Sequence, residues 1–577
     1  MTTISQPQIA AVHPNAQPGS QFAVHNPATG ETIGTLPRFT AEQVAAAVER
    51  AGSAQVRWAA TPVRDRLRIL TRFADLLCEQ KERVASVISR EAGKPEAEAL
   101  STEILVVLDT VKYLRNTLPG FLRPEPVPHG NPVMKLKRGT LLREPYGVVG
   151  IISPWNYPFS VPSVQTLTAL ATGNAVVLKP SEFTPYSSLE LQRLLREAGL
   201  DRELLQVITG EGGAGAALLA ANVQKVVFTG SVATGKRVAQ AAAARLLPVV
   251  LELGGKDPMI VLEDADIDVA SSAAVWGAFM NAGQTCLSVE RCYVHERVYE
   301  EFLKRCVEKT NKLRVGSSHS LPPIESSEAT GTHPLRHDQL GKDASQSPQR
   351  MGHPDSSFHP GSDSEIDVGP MIHERQLKIV QSHVEDAIAR GARVLAGGKP
   401  LPQMGPNFFA PTILADVDHS MKIMREETFG PVLPVRAFKT EDEAVALAND
   451  SEYGLAASIF TSDRKRGEAL AHRVQAGTVM VNDVLTCFGI SEAPHGGIKA
   501  SGIGRTHGRF GLEEMVWPKY VDSDRLPRMK KLWWYGYGPM FAEQMGGFVE
   551  LLFARKLTNR LRGAAKSTKS YLRRRLL

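Results

Sequence analysis

Phe228-Thr-Gly-Ser-Val-Ala-Thr-Gly-Lys-Arg-Val238 decides how this 577-residue chain is read. It contains GxxxxGK, the opening of a nucleoside-triphosphate loop, but Arg237 follows Lys236. Such a loop needs a hydroxyl at that place to reach Mg²⁺, so the triphosphate reading loses its metal ligand. What survives is an apolar run, Lys225-Val-Val-Phe-Thr229, entering a helix through a turn with Gly230 and Gly235. A strand-to-helix turn of this kind aims backbone N–H groups and a helix N-terminus at an anion. It also serves packing alone, so the ligand has to be read from other residues.

Outward from this turn, short apolar runs alternate with amphipathic segments. Strands are expected over 147–152, 175–179 and 206–208, with helices over 163–171 and 186–197. A second alternating set follows Leu253, with strands over 259–262, 291–295, 392–396 and 477–481. This alternation specifies parallel sheets covered on both faces, hence two doubly wound α/β domains. Residues 21–122 read mainly as helix, as over 41–51 and 64–78. Two stretches lack any period. Residues 1–20 and the Ser-, Pro- and Gly-rich insert 317–363 are expected to be disordered. The insert carries His319, His333, His337, His353 and His359, but their irregular spacing without Cys argues against a metal site.

Bulk numbers narrow the class. A chain this long exceeds one core, and 43% hydrophobic with 22% charged residues suits a water-soluble globular protein. Five Cys (78, 286, 292, 306 and 487) form no CxxC, which excludes a zinc ribbon and points to a reducing compartment. The N-terminus has no basic-then-apolar signal, and no apolar run reaches the roughly 18 residues of a membrane span. A cytoplasmic protein is expected. The net charge of +6 is local: residues 532–577 hold nine Lys and Arg against Glu543 and Glu550, leaving the remainder slightly acidic. The body therefore carries no basic signature for nucleic acid.

Three segments offer reactive groups: Pro154-Trp-Asn-Tyr-Pro158, Leu251-Glu-Leu-Gly-Gly-Lys256 and Gly283-Gln-Thr-Cys-Leu287. Cys286 sits among loop residues. Glu252 lies between two Leu, where a carboxylate must be paired, neutral or functional. Singly, each has a structural explanation: a packed Cys, a paired Glu, a turn Asn. Together they resemble the NAD(P)-dependent aldehyde dehydrogenase superfamily. The resemblance extends to Thr172-Gly-Asn-Ala-Val-Val-Leu-Lys-Pro-Ser-Glu182, Phe228-Thr-Gly-Ser231, Glu426-Glu-Thr-Phe-Gly-Pro431 and Ser501-Gly-Ile-Gly-Arg505, in family order over about 20–525.

That resemblance implies a Rossmann-like cofactor domain (21–126 and 146–252), a catalytic domain (253–509) and a β-arm for oligomerisation (127–145 and 510–523). It implies Cys286 as nucleophile, Asn156 with the Cys286 N–H as oxyanion donors, and Glu252 as the base that hydrolyses the thioester. Relatives that pass the acyl group to coenzyme A generally lack that Glu, so the free acid is expected. A coenzyme A-acylating enzyme and a catalytically silent scaffold of the same fold are the alternatives. The turn at Gly230, Ser231 and Gly235 is then a dinucleotide site, joined by Trp155, Lys179, Ser181, Glu182, Leu253, Glu427 and Phe429. Glu182 beside the adenosine ribose would repel a 2′-phosphate, so NAD is expected over NADP. A homo-oligomer, dimer or tetramer, is expected.

Two features depart from the family pattern. His495, in Pro494-His-Gly-Gly497, stands where many members carry Phe, at the border of the substrate entrance. Beyond 524 the resemblance ends and an aromatic, then amphipathic, then basic tail begins. Trp533, Trp534, Tyr535 and Tyr537 precede a helical stripe of Phe541, Met545, Phe548 and Leu552, widened by Val549, Phe553, Leu557 and Leu561. That order suits a helix lying in an anionic membrane interface, which would favour long-chain or lipid-derived aldehydes. A helix packed on the enzyme body is the alternative.

Overall fold

The computed structural model describes residues 20–317, 359–360, 365–531, 534–535 and 537–573. Residues 1–19, most of the 317–363 insert, Trp533 and the final four residues lie outside them. Two compact units result: one reaches Arg123 and resumes at Arg143–Trp517, and the other comprises Pro124–Leu142 and Pro518–Leu577.

The first unit contains two large sheets. In the six-stranded sheet the order is Gly502–Ile503, Val249–Glu252, Lys225–Thr229, Val148–Ile152, Ala175–Lys179 and Leu205–Val207. All neighbours are parallel except Gly502–Ile503, which runs antiparallel to Val249–Glu252. Chain order reverses between Val148–Ile152 and Lys225–Thr229. Open α/β sheets open their ligand crevice at such a switch point, at the carboxyl ends of the strands. Val148, Val149, Ile151, Ala175–Leu178, Val226 and Val227 are all buried, because helices cover both faces.

The seven-stranded sheet runs Arg393–Ala396, Thr412–Ala415, Val432–Phe438, Val289–His295, Asp257–Val261, Ala456–Phe460 and Thr478–Val481. Only Arg393–Ala396, at one edge, is antiparallel. Its strands feed two cores by alternation: Met259 and Val261 enter one, Ile260 and Leu262 the other. Leu512, Met515 and Val516 join the core of the first sheet, although 510–523 is expected in the arm from the sequence. A further difference lies near the N-terminus, where the sequence reads mainly as helix. Gln21–His25 and Thr32–Pro37 form a hairpin that buries Phe22, Val24 and Leu36 against Val87 and Tyr186.

The second unit holds a three-stranded sheet, ordered Val516–Asp524, Lys137–Pro145 and Glu125–Val127, and a helical hairpin. The stripe from Phe541 to Leu561, expected to be continuous, is cut at Ala554, which turns out of helix with ψ 136°. Pro539–Phe553 and Leu557–Arg573 then lie against each other. Their seam is made of small and polar groups. A Cβ on Gly547 would lie 2.6 Å from the Gly563 carbonyl, and one on Gly563 would lie 2.5 Å from the Gly547 carbonyl. Ser567 Oγ donates to the Gln544 carbonyl at 3.0 Å, and Glu550 pairs with Lys566 at 3.1 Å. Val549, Phe553, Leu557 and Leu561 are left exposed. Among the described residues no helix is long and apolar enough to cross a membrane.

Candidate active site

The reactive residues meet where the carboxyl edge of the first sheet faces the amino edge of the second. Val148–Ile152 runs into the loop with Trp155 and Asn156, Ala175–Lys179 into Ser181 and Glu182, and Lys225–Thr229 into Gly230. Glu252 closes its own strand. From the other side, Lys256, Cys286 and Phe429 stand just before Asp257–Val261, Val289–His295 and Val432–Phe438.

The loop ahead of Cys286 is tied at successive residues. Asn281 and Ala282 adopt left-handed φ of 53° and 54°, which L-residues take only under constraint. The Glu98 carboxylate supplies some of that constraint by accepting the Asn281 N–H at 3.0 Å. Asn281 Nδ2 donates to the carbonyls of Asn156 at 3.0 Å and Gln284 at 3.1 Å. Asn156 Nδ2 donates to the same Gln284 carbonyl at 3.0 Å, which spends one of its two N–H groups. Gln284 Oε1 accepts from the Ile372 N–H at 2.8 Å, and the Tyr157 hydroxyl lies 2.8 Å from Thr285 Oγ1. Asn156 and Cys286 are thus joined through one carbonyl.

Cys286 is half-buried. Burial, then the carboxylates of Asp257, Glu427 and Glu252, push its thiol well above its usual range. Glu252, 6% exposed, is also pushed well above the carboxylate range. Burial is the main cause; Arg505 pulls the other way and Glu514 adds to the rise. A carboxyl with a raised pKa can take a proton from water near neutrality, as a general base requires.

A buried ion pair positions Glu427 and Phe429. The Glu290 carboxylate accepts the Thr428 and Phe429 N–H groups, each at 2.8 Å, and contacts Lys256 Nζ. Lys256 also donates to Thr428 Oγ1 at 3.0 Å. Glu427 Oε1 accepts the Gly255 N–H at 3.0 Å, and burial with Glu290 raises its pKa to about 8. Phe429 meets the Trp155 ring edge-on at 5.4 Å.

An open cleft of ≈ 1010 Å³ passes these residues and is lined by Ser231, Lys236, Arg375, Lys378, Glu426 and Glu427, among others. Ser231 caps the helix Val232–Ala243, and its hydroxyl accepts the Thr234 N–H at 3.4 Å. The packing of Gly235 on Leu253 brings that helix close to the sheet: a Cβ on Gly235 would lie 2.4 Å from Leu253 Cδ2. Lys179 Nζ is 3.3 Å from Glu182 Oε2, with Ser181 buried between them in sequence. A helix N-terminus beside cationic side chains fits a pyrophosphate, and carboxylates at 182 and 427 fit ribose hydroxyls. Of the expected dinucleotide residues, Ser231 and Glu427 line the cleft itself.

Several supporting residues escape a reading of the sequence. Glu103 accepts the Phe159 and Ser160 N–H groups at 3.0 and 2.7 Å, which anchors the helix behind Asn156. Lys94 pairs with Glu103 at 2.6 Å and lies over the Tyr157 ring at 3.9 Å. Glu98 caps and Glu103 lies within a π-helical turn, Ala99–Ile104, where the 3.6-residue period fails as a guide. Glu290 carried the same signal as Glu252, a carboxylate on an apolar strand.

The sequence matches the aldehyde dehydrogenase family over residues 14–338 and 349–521. A 4,4'-diapolycopene aldehyde oxidase of Methylomonas sp is 38% identical over 534 residues, covering 92% of this chain and 91% of the relative. Among solved structures, an NAD-dependent aldehyde dehydrogenase from Sinorhizobium meliloti superposes with a TM-score of 0.78 at 34% identity, covering 89% of this chain and 93% of that one. An E. coli NADP-dependent enzyme gives 0.76 at 33%, covering 88% and 95%. The chain belongs to the aldehyde dehydrogenase family and is an NAD(P)-dependent oxidoreductase that converts an aldehyde to a carboxylic acid.

Proposed function

We propose that this enzyme uses NAD⁺ to oxidise long-chain or lipid-derived aldehydes at a membrane surface, through acyl transfer on Cys286. The observation that carries the reading is the helical hairpin. It keeps small and polar groups in its seam and leaves Val549, Phe553, Leu557 and Leu561 outside, next to a strongly basic sequence. This arrangement suits an anionic lipid interface. The relative named for a diapolycopene aldehyde agrees with such a substrate.

Cys286 Sγ attacks the aldehyde carbonyl to give a thiohemiacetal, and its proton leaves to solvent. The free N–H of the Asn156 amide and the Cys286 backbone N–H stabilise the oxyanion. A bound NAD⁺ would supply the hydride acceptor, and loss of the hydride would leave the acyl group as a thioester on Cys286. Glu252 takes a proton from water, the hydroxide adds to the thioester carbonyl, and the thiol departs with the free acid released. Glu427 and Phe429 would hold the nicotinamide end and the Ser231 helix N-terminus the pyrophosphate, with Gly235 letting that helix pack close on Leu253. Lys179 and Glu182 meet the adenosine ribose, and the Glu182 carboxylate favours NAD⁺ by repelling a 2′-phosphate. The arm supports assembly as a homo-oligomer in the cytoplasm.

The test is NADH formation across aliphatic aldehydes of rising chain length, with and without anionic vesicles. Rising kcat/KM with chain length and vesicle-dependent turnover support the reading. Activity confined to short polar aldehydes, or turnover that requires coenzyme A, overturns it.

A further inference from the structure

Glu252 is an unusual carboxylate. Both of its oxygens are buried, and neither closes a hydrogen bond, although the Thr506 N–H and hydroxyl approach. Buried polar atoms in folded proteins are paired with few exceptions, and the exceptions gather where chemistry needs them. Arg505 Nη1 donates to the carbonyls of Gly497 at 2.9 Å and Gly504 at 2.7 Å, so its guanidinium acts on Glu252 through its charge and not through a hydrogen bond. Glu514 is held by Lys225 at 2.6 Å. Beside Thr506 and these charged groups stands an imidazole.

His495 Nε2 lies 3.9 Å from Glu252 Oε2. Catalytic pairs often stand this far apart before substrate arrives and tighten in the complex. His495 is 4% exposed, and its Nδ1 has no partner among the described residues. Its backbone is fixed by a reciprocal pair of hydrogen bonds with Thr506, each 2.8 Å. Its ring is fixed edge-on by Phe488 at 5.0 Å, with the His507 ring 5.7 Å away. The next residue makes room for the carboxylate. Gly496 has φ +146°, and a Cβ there would stand 2.9 Å from Glu252 Oε1. The His-Gly pair therefore builds one wall around Glu252: the imidazole faces one oxygen and the missing side chain faces the other.

Burial, then His507 and Arg505, hold the imidazole neutral, with its pKa brought down to about 3. A neutral ring carries one N–H, and the Nε2 tautomer would place it on the nitrogen that lies 3.9 Å from Glu252. A hydrogen bond to the ionised carboxylate favours that form and so opposes the rise caused by burial.

We infer that His495 is the positioning residue of Glu252: its imidazole N–H orients the carboxylate and stabilises the ionised form that draws a proton from water. This role rests on Glu252 being the base for thioester hydrolysis. Acylation of Cys286 does not involve the pair, whereas deacylation does. The groups facing the pair are Arg505, Glu514, His507 and Cys286, and none of them changes when the imidazole alone is removed.

The experiment is rapid mixing of the full-length enzyme with NAD⁺ and hexanal, following NADH, for wild type, His495→Phe, His495→Gln and Glu252→Gln. For His495→Phe the expected result is a first-turnover burst at nearly the wild-type rate. Steady turnover then falls about tenfold or more, and the acid limb of kcat moves up by about one pH unit. His495→Gln, whose amide still donates, should recover part of both. If burst and steady rate fall together with an unmoved limb, or only KM for the aldehyde changes, His495 has a packing or substrate-binding role and the inference fails. It also fails if Gln behaves as Phe does. Glu252→Gln separates the premise from the inference: wild-type turnover there would remove Glu252 as the base.

Discussion

Cys286 and Glu252 each sit where burial opposes the charged form that their chemistry needs. The pH consequence has a definite sign. Glu252 is a base only when ionised, and its pKa is raised, so deacylation should climb with pH through neutrality. An unshifted carboxylate would already have levelled off below pH 6. A kcat profile flat from pH 5.5 to 8 for a deacylation-limited substrate would contradict this. Asn156 donates to a carbonyl two residues before the nucleophile, with one N–H left for the oxyanion. Asn156→Ala should lower kcat by about 10²–10³, or roughly 3 kcal/mol of barrier, with thermal stability little changed. Equal losses of activity and folded fraction would assign Asn156 to the scaffold alone.

Loops supply the reactive groups, but buried charges in neighbouring elements hold them in place. Glu290 receives two backbone N–H groups of the Thr428–Phe429 turn and neutralises Lys256. Glu290→Ala leaves a buried ammonium and two orphaned donors. It should cost about 3–5 kcal/mol of stability by denaturant unfolding and raise KM for NAD⁺. An unchanged midpoint would show that the pair is dispensable. The same elements explain how far the sequence could be read. Val148–Ile152, Ala175–Lys179 and Lys225–Thr229 stand out because strands buried on both faces are continuous apolar runs. The hairpin near residue 30 was hidden, since its strands are five and six residues long and only Phe22, Val24 and Leu36 are buried. Cys286, Asn156 and Glu252 were legible as a motif set. Glu98 and Glu103 were not, because they accept backbone N–H groups distant in sequence, which no local pattern encodes; Glu290 stood on its strand as Glu252 does, but without a motif to mark it. The break at Ala554 was equally hidden, because the apolar spacing continues across it and the contacts that reveal the hairpin, such as Gly547–Gly563 and Ser567–Gln544, join residues far apart in sequence.

For the chain as a whole, the family match ends at 521 and the hairpin lies beyond it. Truncation after Asp524 should abolish co-sedimentation with anionic vesicles and leave turnover of a soluble short aldehyde unchanged. Binding by the intact chain should weaken with salt, since a basic tail contributes through screened charge. Equal vesicle binding by both forms would dissociate the tail from membranes. The catalytic account is tested most directly by intact-mass spectrometry of Glu252→Gln after mixing with NAD⁺ and hexanal. The predicted result is one acyl group per chain, located on the Cys286 peptide, with one equivalent of NADH, and neither in Cys286→Ala. NADH formation by Cys286→Ala, or an adduct on another residue, would contradict it.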